Sequence, residues 1–291
     1  MSAFRTADER FADLPDYPFA PHWLDFEGLR LHYLDEGAGD PVLLLHGEPT
    51  WSFLWRRVIP QLAARARVIA PDLLGFGRSD KPTDSGWYSY DRHVETITRL
   101  VVVELGLERL TVVVHDWGGP IGLRLAVEHE ERVERLVILD TGIGAGSAPT
   151  ETWLRFRAVV RELGGELDIG RLVAAGTAQG LADDVRAGYD APFPTAESKA
   201  GVLAFPELVP TEAEHPSTAA MLRVRDALKG WHKPALVVWG AEDAVLPPRV
   251  AEHFVELLPN ARGPLLLEGA SHFLQEDRPD ELAAAILDFI A

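Results

Sequence analysis

The stretch at residues 110–119, Leu-Thr-Val-Val-Val-His-Asp-Trp-Gly-Gly, constrains the fold more than any other part of the chain. Its apolar, β-branched start is typical of a strand that is buried on both faces of a parallel sheet. Gly118 and Gly119 permit a tight turn and a close approach of the following helix to that strand. Asp116 is therefore expected at the tip of a strand–turn–helix unit, either as a helix N-cap or as an exposed nucleophile.

Strand-like and helix-like segments alternate along most of the chain. Residues 23–26 and 29–34 predict a hairpin closed at Glu27 and Gly28, and further strands are predicted at 41–45, 68–71, 110–114, 133–139, 235–239 and 264–267. Helical spacing of apolar residues is found at 52–65, 90–105, 120–130, 248–257 and 279–290. This alternation predicts an α/β fold with a mostly parallel sheet and helices on both faces.

The alternation stops between Gly142 and about Pro216, where the sequence has helical segments and loops without a clear strand. We therefore expect a core domain made of residues 1–142 and 216–291, with residues 143–215 inserted as a helical cap. The cap would lie over the carboxyl edge of the strands, where open α/β sheets bind their ligands.

Charge and composition exclude several classes of function. The 291 residues include 45 acidic and 28 basic ones, for a formal net charge of −17. Such a surface repels phosphate backbones and anionic lipids, so neither nucleic-acid nor membrane-surface binding is expected. The chain has no cysteine, which excludes disulfides and a thiol nucleophile. Without a signal-peptide pattern or an uncharged stretch of membrane-spanning length, we expect a cytoplasmic protein.

Reactive side chains follow three of the predicted strands. Asp116 follows the strand at 110–114, Asp243 follows 235–239, and His272 follows 264–267. Taken singly, Asp243 could cap a turn and His272 could be an ordinary loop histidine. Together they have the order nucleophile, acid, histidine, which is the order along the chain in α/β-hydrolases.

These residue types suit a two-step displacement. A carboxylate such as Asp116 is ionised at neutral pH and can attack a saturated carbon without a base, which leaves an alkyl ester. His272 would then deprotonate water, while Asp243 holds its tautomer and stabilises the imidazolium. The backbone N–H groups of Glu48 and Trp117 would face the developing oxyanion. Because no histidine spacing indicates a metal site, neither a metal nor a cofactor is expected.

Motifs along nearly the whole chain resemble those of the haloalkane dehalogenases, which have the α/β-hydrolase fold. The core motifs are His-Gly-Glu-Pro-Thr-Trp-Ser at 46–52, the stretch at 68–82 with Gly-Phe-Gly-Arg-Ser-Asp-Lys-Pro, and Val-His-Asp-Trp-Gly-Gly at 114–119. Related patterns occur in epoxide hydrolases, whereas Tyr-Asp-Ala-Pro-Phe-Pro at 189–194 and Phe-Pro-Glu-Leu-Val-Pro at 205–210 point to dehalogenases in particular. The resemblance implies hydrolysis of a small haloalkane by water to an alcohol, a halide ion and a proton.

A dehalogenase must also hold the departing halide, and an indole N–H suits this task because it donates without accepting. The resemblance implies Trp117 as one halide donor and Trp153, at the start of the insertion, as the second. A shift of the match by one residue would replace Trp153 with Leu154, which cannot donate, and leave Trp153 as a hydrophobic anchor. The other candidate tryptophans are expected in the core or the pocket wall: Trp51, Trp55 and Trp239.

Three alternatives stay open at this point. Asp140 rivals Asp243 as the acid, because one dehalogenase subfamily places its acid after that strand, although the sequence around Glu48 resembles the subfamily with the acid at Asp243. An epoxide hydrolase would use the same Asp-His-Asp set, but it typically needs two cap tyrosines and Tyr189 is the only tyrosine in the insertion. A catalytically silent ligand-binding protein could also have this fold.

Overall fold

A single large sheet organises the molecule, whose computed structural model describes residues 2–144 and 149–291. Its strands are β1 (His22–Phe26), β2 (Leu29–Gly37), β3 (Pro41–Leu45), β4 (Arg67–Pro71), β5 (Leu110–His115), β6 (Val133–Leu139), β7 (Ala235–Gly240) and β8 (Ala261–Leu267). Their order across the sheet is β8-β7-β6-β5-β3-β4-β2-β1. The β1–β2 and β2–β4 pairs are antiparallel, and the other neighbours are parallel.

Helices cover the sheet and fill the interval between β6 and β7. The α-helices are α1 (Ile59–Ala63), α2 (Tyr90–Thr98), α3 (Gly118–Glu128), α4 (Glu151–Leu163), α5 (Ile169–Ala175), α6 (Asp183–Asp190), α7 (Ala200–Leu208), α8 (Thr218–Leu228), α9 (Arg249–Leu257), α10 (Leu274–Asp277) and α11 (Pro279–Ile290). Short 3₁₀ helices lie at Asp8–Phe11, Ser52–Trp55, Ser85–Trp87, Glu130–Arg132, Gly164–Glu166 and Glu197–Lys199. No helix in the described ranges has both the length and the apolar character needed to cross a membrane.

The predicted α/β architecture is confirmed, and every predicted strand is present. β5 and β7 are buried at every position, which explains their continuous apolar runs. Between β6 and β7 the described residues form helices and loops only, as the loss of alternation predicted. The chain passes from β3 to β4 on one side and then returns to β5 on the other. Ligands of open α/β sheets bind at such a reversal of strand order, outside the carboxyl ends of the strands.

Several local predictions were incomplete. The helix predicted at 52–65 is a 3₁₀ turn at Ser52–Trp55 followed by the separate helix α1, which has Pro60 in its first turn. Proline favours a helix start, so the helical register begins again there. The helix predicted at 90–105 ends its α-helical part at Thr98 and continues as a π-helix over Arg99–Glu104. β8 begins before the predicted start at Pro264, because Ala261 and Arg262 already pair with β7, and the register then shifts between Arg262 and Leu265.

Candidate active site

Asp116 occupies a strained turn between β5 and α3. Its backbone φ of 48° lies in the left-handed region, which a residue with a side chain rarely adopts. A Cβ atom on Gly118 would lie 2.4 Å from the Leu45 carbonyl oxygen, and one on Gly119 would lie 1.8 Å from Oγ1 of Thr141. Both glycines are therefore required for this turn. The N-cap position of α3 is occupied by Trp117, and no side chain caps the helix, so Asp116 is not an N-cap.

The carboxylate of Asp116 faces backbone donors at the ends of β3 and β5. The Glu48 N–H donates to Oδ1 of Asp116 at 2.7 Å, and the Trp117 N–H helps to lower the pKa of the same carboxyl. A Cβ atom on Gly47 would lie 2.1 Å from Oδ1 of Asp116 and 2.5 Å from the Trp117 nitrogen. Gly47 was not among the predicted site residues, although it directly precedes Glu48. Its missing side chain is what allows these donors to approach the carboxylate.

His272 lies between two carboxylates. Its Nδ1 is 2.9 Å from Oδ2 of Asp243, and its Nε2 is 3.6 Å from Oδ2 of Asp116. The other oxygen of Asp243 accepts backbone N–H bonds from Val245 at 2.7 Å and Leu246 at 2.9 Å. Asp243 is thus fixed by its own loop, and its other oxygen is directed at the imidazole.

The charges of these three groups are strongly interdependent. Burial lowers the pKa of His272, but the two carboxylates outweigh burial and raise that pKa well above its usual range. Burial raises the pKa of Asp116, and the hydrogen bond and charge of His272 reverse this effect, so the net pKa is lowered. The pKa of Asp243 is lowered in the same way. The site therefore favours two carboxylates with an imidazolium between them.

Asp140 lies beside this group but plays a different part in it. Burial, followed by the charge of Asp243, raises its pKa well above the usual range, and one of its oxygens accepts the Gly240 N–H at 3.0 Å. One oxygen each of Asp140 and Asp243 and a ring nitrogen of His272 lie within 4.8 Å of one another, a spacing that could hold a metal ion. Here, however, Nδ1 of His272 is hydrogen-bonded to Asp243. A proton on Asp140 would let it donate to Asp243, and such a hydrogen bond lowers the pKa of Asp243.

His115, directly before Asp116 in the sequence, holds the backbone of His272. Its Nε2 is 2.8 Å from the His272 carbonyl oxygen, and the two rings are 5.0 Å apart between centroids. Burial, together with the charge of His272, lowers the pKa of His115 to about 4. His115 is thus neutral near pH 7, with its Nε2–H donating to that carbonyl. The sequence did not indicate this contact, because it joins residues far apart in the chain.

A cavity of about 540 Å³ opens above Asp116. Trp117 and Trp153 both line it, together with apolar side chains that include Val209, Met221, Leu246 and Phe254. Leu154 is 41% exposed and does not line the cavity. Of the two neighbouring residues, Trp153 is therefore the one that can reach the space above Asp116.

Hydrogen bonds at the start of α4 position Trp153. Thr150 caps the helix by accepting the Trp153 N–H at 3.1 Å, and its hydroxyl donates to the Val245 carbonyl at 3.0 Å. The first bond supplies a partner to a backbone donor that would otherwise be unpaired at a helix start. The second ties α4 to the loop that carries Asp243. Trp153 is thus held against the core by the same loop that presents the acid.

The remaining aromatic candidates do not line the cavity. Trp51, Trp55 and Trp239 are completely buried, as predicted, and the indoles of Trp51 and Trp239 donate to backbone carbonyls at 3.2 Å and 2.7 Å. Tyr189 is also completely buried, and its hydroxyl donates to Glu276. In contrast, the indole N–H groups of Trp117 and Trp153 have no acceptor among the described residues, which leaves them available to a ligand.

Comparisons with known proteins agree with this geometry. A family profile described as the alpha/beta hydrolase fold matches residues 40–279. A haloalkane dehalogenase of Mycobacterium marinum is 45% identical over 298 residues, which covers 99% of this chain and 100% of the relative. The chain belongs to the haloalkane dehalogenase family. The motif resemblance and the predicted fold are thereby confirmed.

Other relatives of this dehalogenase have similar lengths. Haloalkane dehalogenase 1 of Mycobacterium bovis is 46% identical, with 99% of both chains covered. The solved structure of a tetrameric haloalkane dehalogenase from Paraglaciecola agarilytica has a TM-score of 0.93 and 34% identity, and the match covers 99% of this chain and 98% of that one. The structure brings together Asp116, His272 and Asp243, and it directs the Glu48 and Trp117 N–H groups at Asp116. Their individual roles stay predictions.

Proposed function

We propose that this enzyme hydrolyses the carbon–halogen bond of haloalkanes through a covalent ester on Asp116. The observation that carries the proposal is the position of Asp116, whose carboxylate lies at the base of an apolar cavity beside two unpaired indoles. Water is the second substrate, and the products are an alcohol, a halide ion and a proton. Residues 143–215 serve as the cap in this proposal, and residues 1–142 and 216–291 serve as the core.

In the first step, Asp116 displaces the halide. Its lowered pKa keeps it ionised, and the Glu48 N–H holds Oδ1, which leaves Oδ2 free to attack the carbon. A bond forms between Oδ2 and carbon, the carbon–halogen bond breaks, and the electron pair leaves with the halide. The indole N–H groups of Trp117 and Trp153 stabilise the halide as its charge develops. The apolar walls keep water away from the carboxylate, which increases its nucleophilicity.

In the second step, water cleaves the ester with help from His272. Ester formation removes the charge of Asp116, one of the two carboxylates that raise the pKa of His272. The imidazole therefore loses its proton more readily in the alkyl-enzyme than in the free enzyme. It then takes a proton from water, and the oxygen of that water attacks the carbonyl carbon of the ester, which is the carboxyl carbon of Asp116. The Glu48 and Trp117 N–H groups stabilise the oxyanion. Collapse breaks the bond to the alkyl oxygen, which takes the proton of the added hydroxyl and leaves as the alcohol, so the carboxylate is regenerated.

The epoxide hydrolase alternative lacks the tyrosine donors that would bind the epoxide oxygen in the cavity. Opening an epoxide requires a donor to the ring oxygen, and that class typically uses two tyrosines of the cap. The hydroxyl of Tyr189 is directed away from the cavity and donates to Glu276. No tyrosine is found among the described residues that line the cavity.

The proposal is tested by halide release from 1-bromobutane and 1,2-dibromoethane, with 1,2-epoxybutane as the comparison substrate. We expect wild type to release halide and Asp116→Ala to release none, because the attacking atom is missing. Asp183→Ala is the matched control, since this carboxylate is exposed on α6 and should leave halide release unchanged. Equal release by wild type and Asp116→Ala would reject the nucleophile. Turnover of the epoxide without halide release would reject the function.

A further inference from the structure

Three basic side chains that are exposed or half-buried line the cavity above Asp116, and we refer to them as its basic rim. Arg225 on α8 and Arg249 and His253 on α9 all line it. Asp116 is the one carboxylate among the described residues that line the cavity. A chain with a formal charge of −17 thus presents cationic groups at the opening of its candidate active site.

The two arginines of this rim are not used in ion pairs within the described ranges. Asp226, the neighbour of Arg225 in the sequence, pairs instead with Lys229 at 2.6 Å. The residues outside the described ranges have no acidic side chains, since they are one methionine, two alanines, one glycine and one serine. Both guanidinium groups can therefore bind an incoming anion without first breaking a salt bridge.

Helix periodicity places Arg249 and His253 on the side of α9 that lines the cavity. On α9, Arg249 and His253 are four residues apart and lie on the face that includes Phe254, which also lines the cavity. The glutamates of that helix, Glu252 and Glu256, follow Arg249 and His253 by three residues and lie on the same side of α9, but they do not line the cavity. A ligand within the cavity therefore contacts one carboxylate, Asp116, and two guanidinium groups. Charges more than about 8 Å away are largely screened at physiological ionic strength.

We propose that the preferred substrates are haloalkanes with a carboxylate at the end remote from the halogen, with Arg225 and Arg249 binding that carboxylate. This inference rests on the proposed function, because Asp116 must displace the halide of a substrate bound in the same cavity. The apolar walls, such as Val209 and Met221, would contact the methylene chain between the two ends. A neutral haloalkane would gain nothing from the basic rim, whereas a guanidinium group binds a carboxylate by paired, charge-assisted hydrogen bonds.

The test compares 6-bromohexanoate with the neutral and nearly isosteric 6-bromohexanamide. Both are assayed by halide release with wild type, Arg225→Gln, Arg249→Gln and the double variant. Wild type should prefer the carboxylate in kcat/KM. The double variant should lose about fivefold to tenfold on the carboxylate, the effect of two partly exposed charge-assisted contacts, and should change little on the amide. Added sodium sulfate, which contains no halide, should likewise lower kcat/KM for the carboxylate substrate only.

Arg223→Gln is the matched control, because Arg223 is an exposed arginine on the same helix that does not line the cavity. The inference is overturned if wild type does not prefer the carboxylate. It is also overturned if the double variant slows both substrates equally, which would indicate that the rim only assists release of the halide. Turnover of the amide by wild type would support the proposed function in either case. Failure to release halide from either substrate would count against the proposed function itself.

Discussion

At the scale of single residues, the position of His272 between Asp116 and Asp243 links the two proposed chemical steps. The imidazole is more basic in the free enzyme, where both carboxylates are charged. It becomes less basic once Asp116 is esterified, because one negative charge is lost. Esterification of Asp116 would thus prepare His272 to act as the base in the hydrolysis that follows. His115 does not titrate near neutral pH, since its pKa is lowered to about 4 by burial and by the charge of His272.

The first prediction concerns pH. Lowering the pH protonates His272 in the alkyl-enzyme and stops ester hydrolysis, whereas Asp116 stays ionised because its pKa is lowered. The alkyl-enzyme should therefore accumulate as the pH is lowered. Rapid quenching followed by mass spectrometry of the peptide that contains Asp116 measures the adduct. His272→Phe is the reference and should hold the adduct at every pH. An adduct that increases with pH in wild type would contradict the role of His272 as base.

The second prediction separates the two candidate acids. Asp243→Asn should lower kcat for 1-bromobutane by about 10³-fold to 10⁴-fold, because an amide cannot stabilise the imidazolium or hold the correct tautomer. Asp140→Asn should change kcat only a few-fold, since burial and the charge of Asp243 raise the pKa of Asp140 and keep it protonated, and an amide can also donate to Asp243. The two variants are compared under identical conditions. A greater loss in Asp140→Asn would assign the acid to Asp140.

At the scale of elements, the start of α4 determines whether Trp153 or Leu154 lines the cavity. Thr150 accepts the Trp153 N–H and donates to Val245, so the first turn of α4 is tied to the loop that presents Asp243. With the helix held in this rotation, Trp153 lines the cavity and Leu154 is exposed. The choice between these two neighbours was open in the sequence, because the rotation of a helix about its axis depends on what it packs against.

The third prediction tests this rotation. Trp153→Phe should weaken bromide binding by about tenfold, because it removes one N–H donor to an anion while keeping an aromatic ring. Leu154→Phe is the matched control and should leave bromide binding unchanged, since this side chain is outside the cavity. The bromide inhibition constant for turnover of a chloroalkane measures both effects. A greater effect of Leu154→Phe would mean that the helix has the other rotation in solution.

The strands were easier to predict than the helices. β5 and β7 are buried at every position, so apolar residues predominate in their sequences. Helix bounds depended on local interruptions that periodicity does not reveal. Pro60 begins a new helix within a region that has continuous helical spacing, and the 90–105 segment changes from α-helix to π-helix after Thr98.

At the scale of the whole molecule, a buried polar network joins the helical segment between β6 and β7 to the rest of the fold. Glu276 on α10 accepts hydrogen bonds from Arg56, at 2.9 Å for Oε2, and from the hydroxyl of Tyr189 on α6. Arg56 and Glu276 are almost completely buried, so each depends on the other for compensation of its charge. This network gives Tyr189 a structural position rather than a place in the cavity.

The fourth prediction follows from that position. Tyr189→Phe should lower the free energy of unfolding by about 1–3 kcal/mol, because a buried carboxylate loses a hydrogen-bond donor. Halide release at low temperature should change little, since the hydroxyl does not face the cavity. Tyr33→Phe is the control, because the Tyr33 hydroxyl has no hydrogen bond to the described residues. Thermal or urea unfolding measures the difference. A loss of turnover without a loss of stability would implicate the hydroxyl in the chemistry.

The sequence by itself determined the fold class, the motif resemblance and the set of reactive residues. These depend on local patterns: apolar runs that end in Asp116, Asp243 and His272, and glycines that permit the turn at Asp116. Only the tertiary structure decided that Asp243 rather than Asp140 contacts His272, and that Trp153 rather than Leu154 lines the cavity. It also revealed the close approach at Gly47 and the basic rim of the cavity. Such contacts join residues far apart in the chain, and they depend on how helices and loops are oriented on the sheet, which local patterns do not specify.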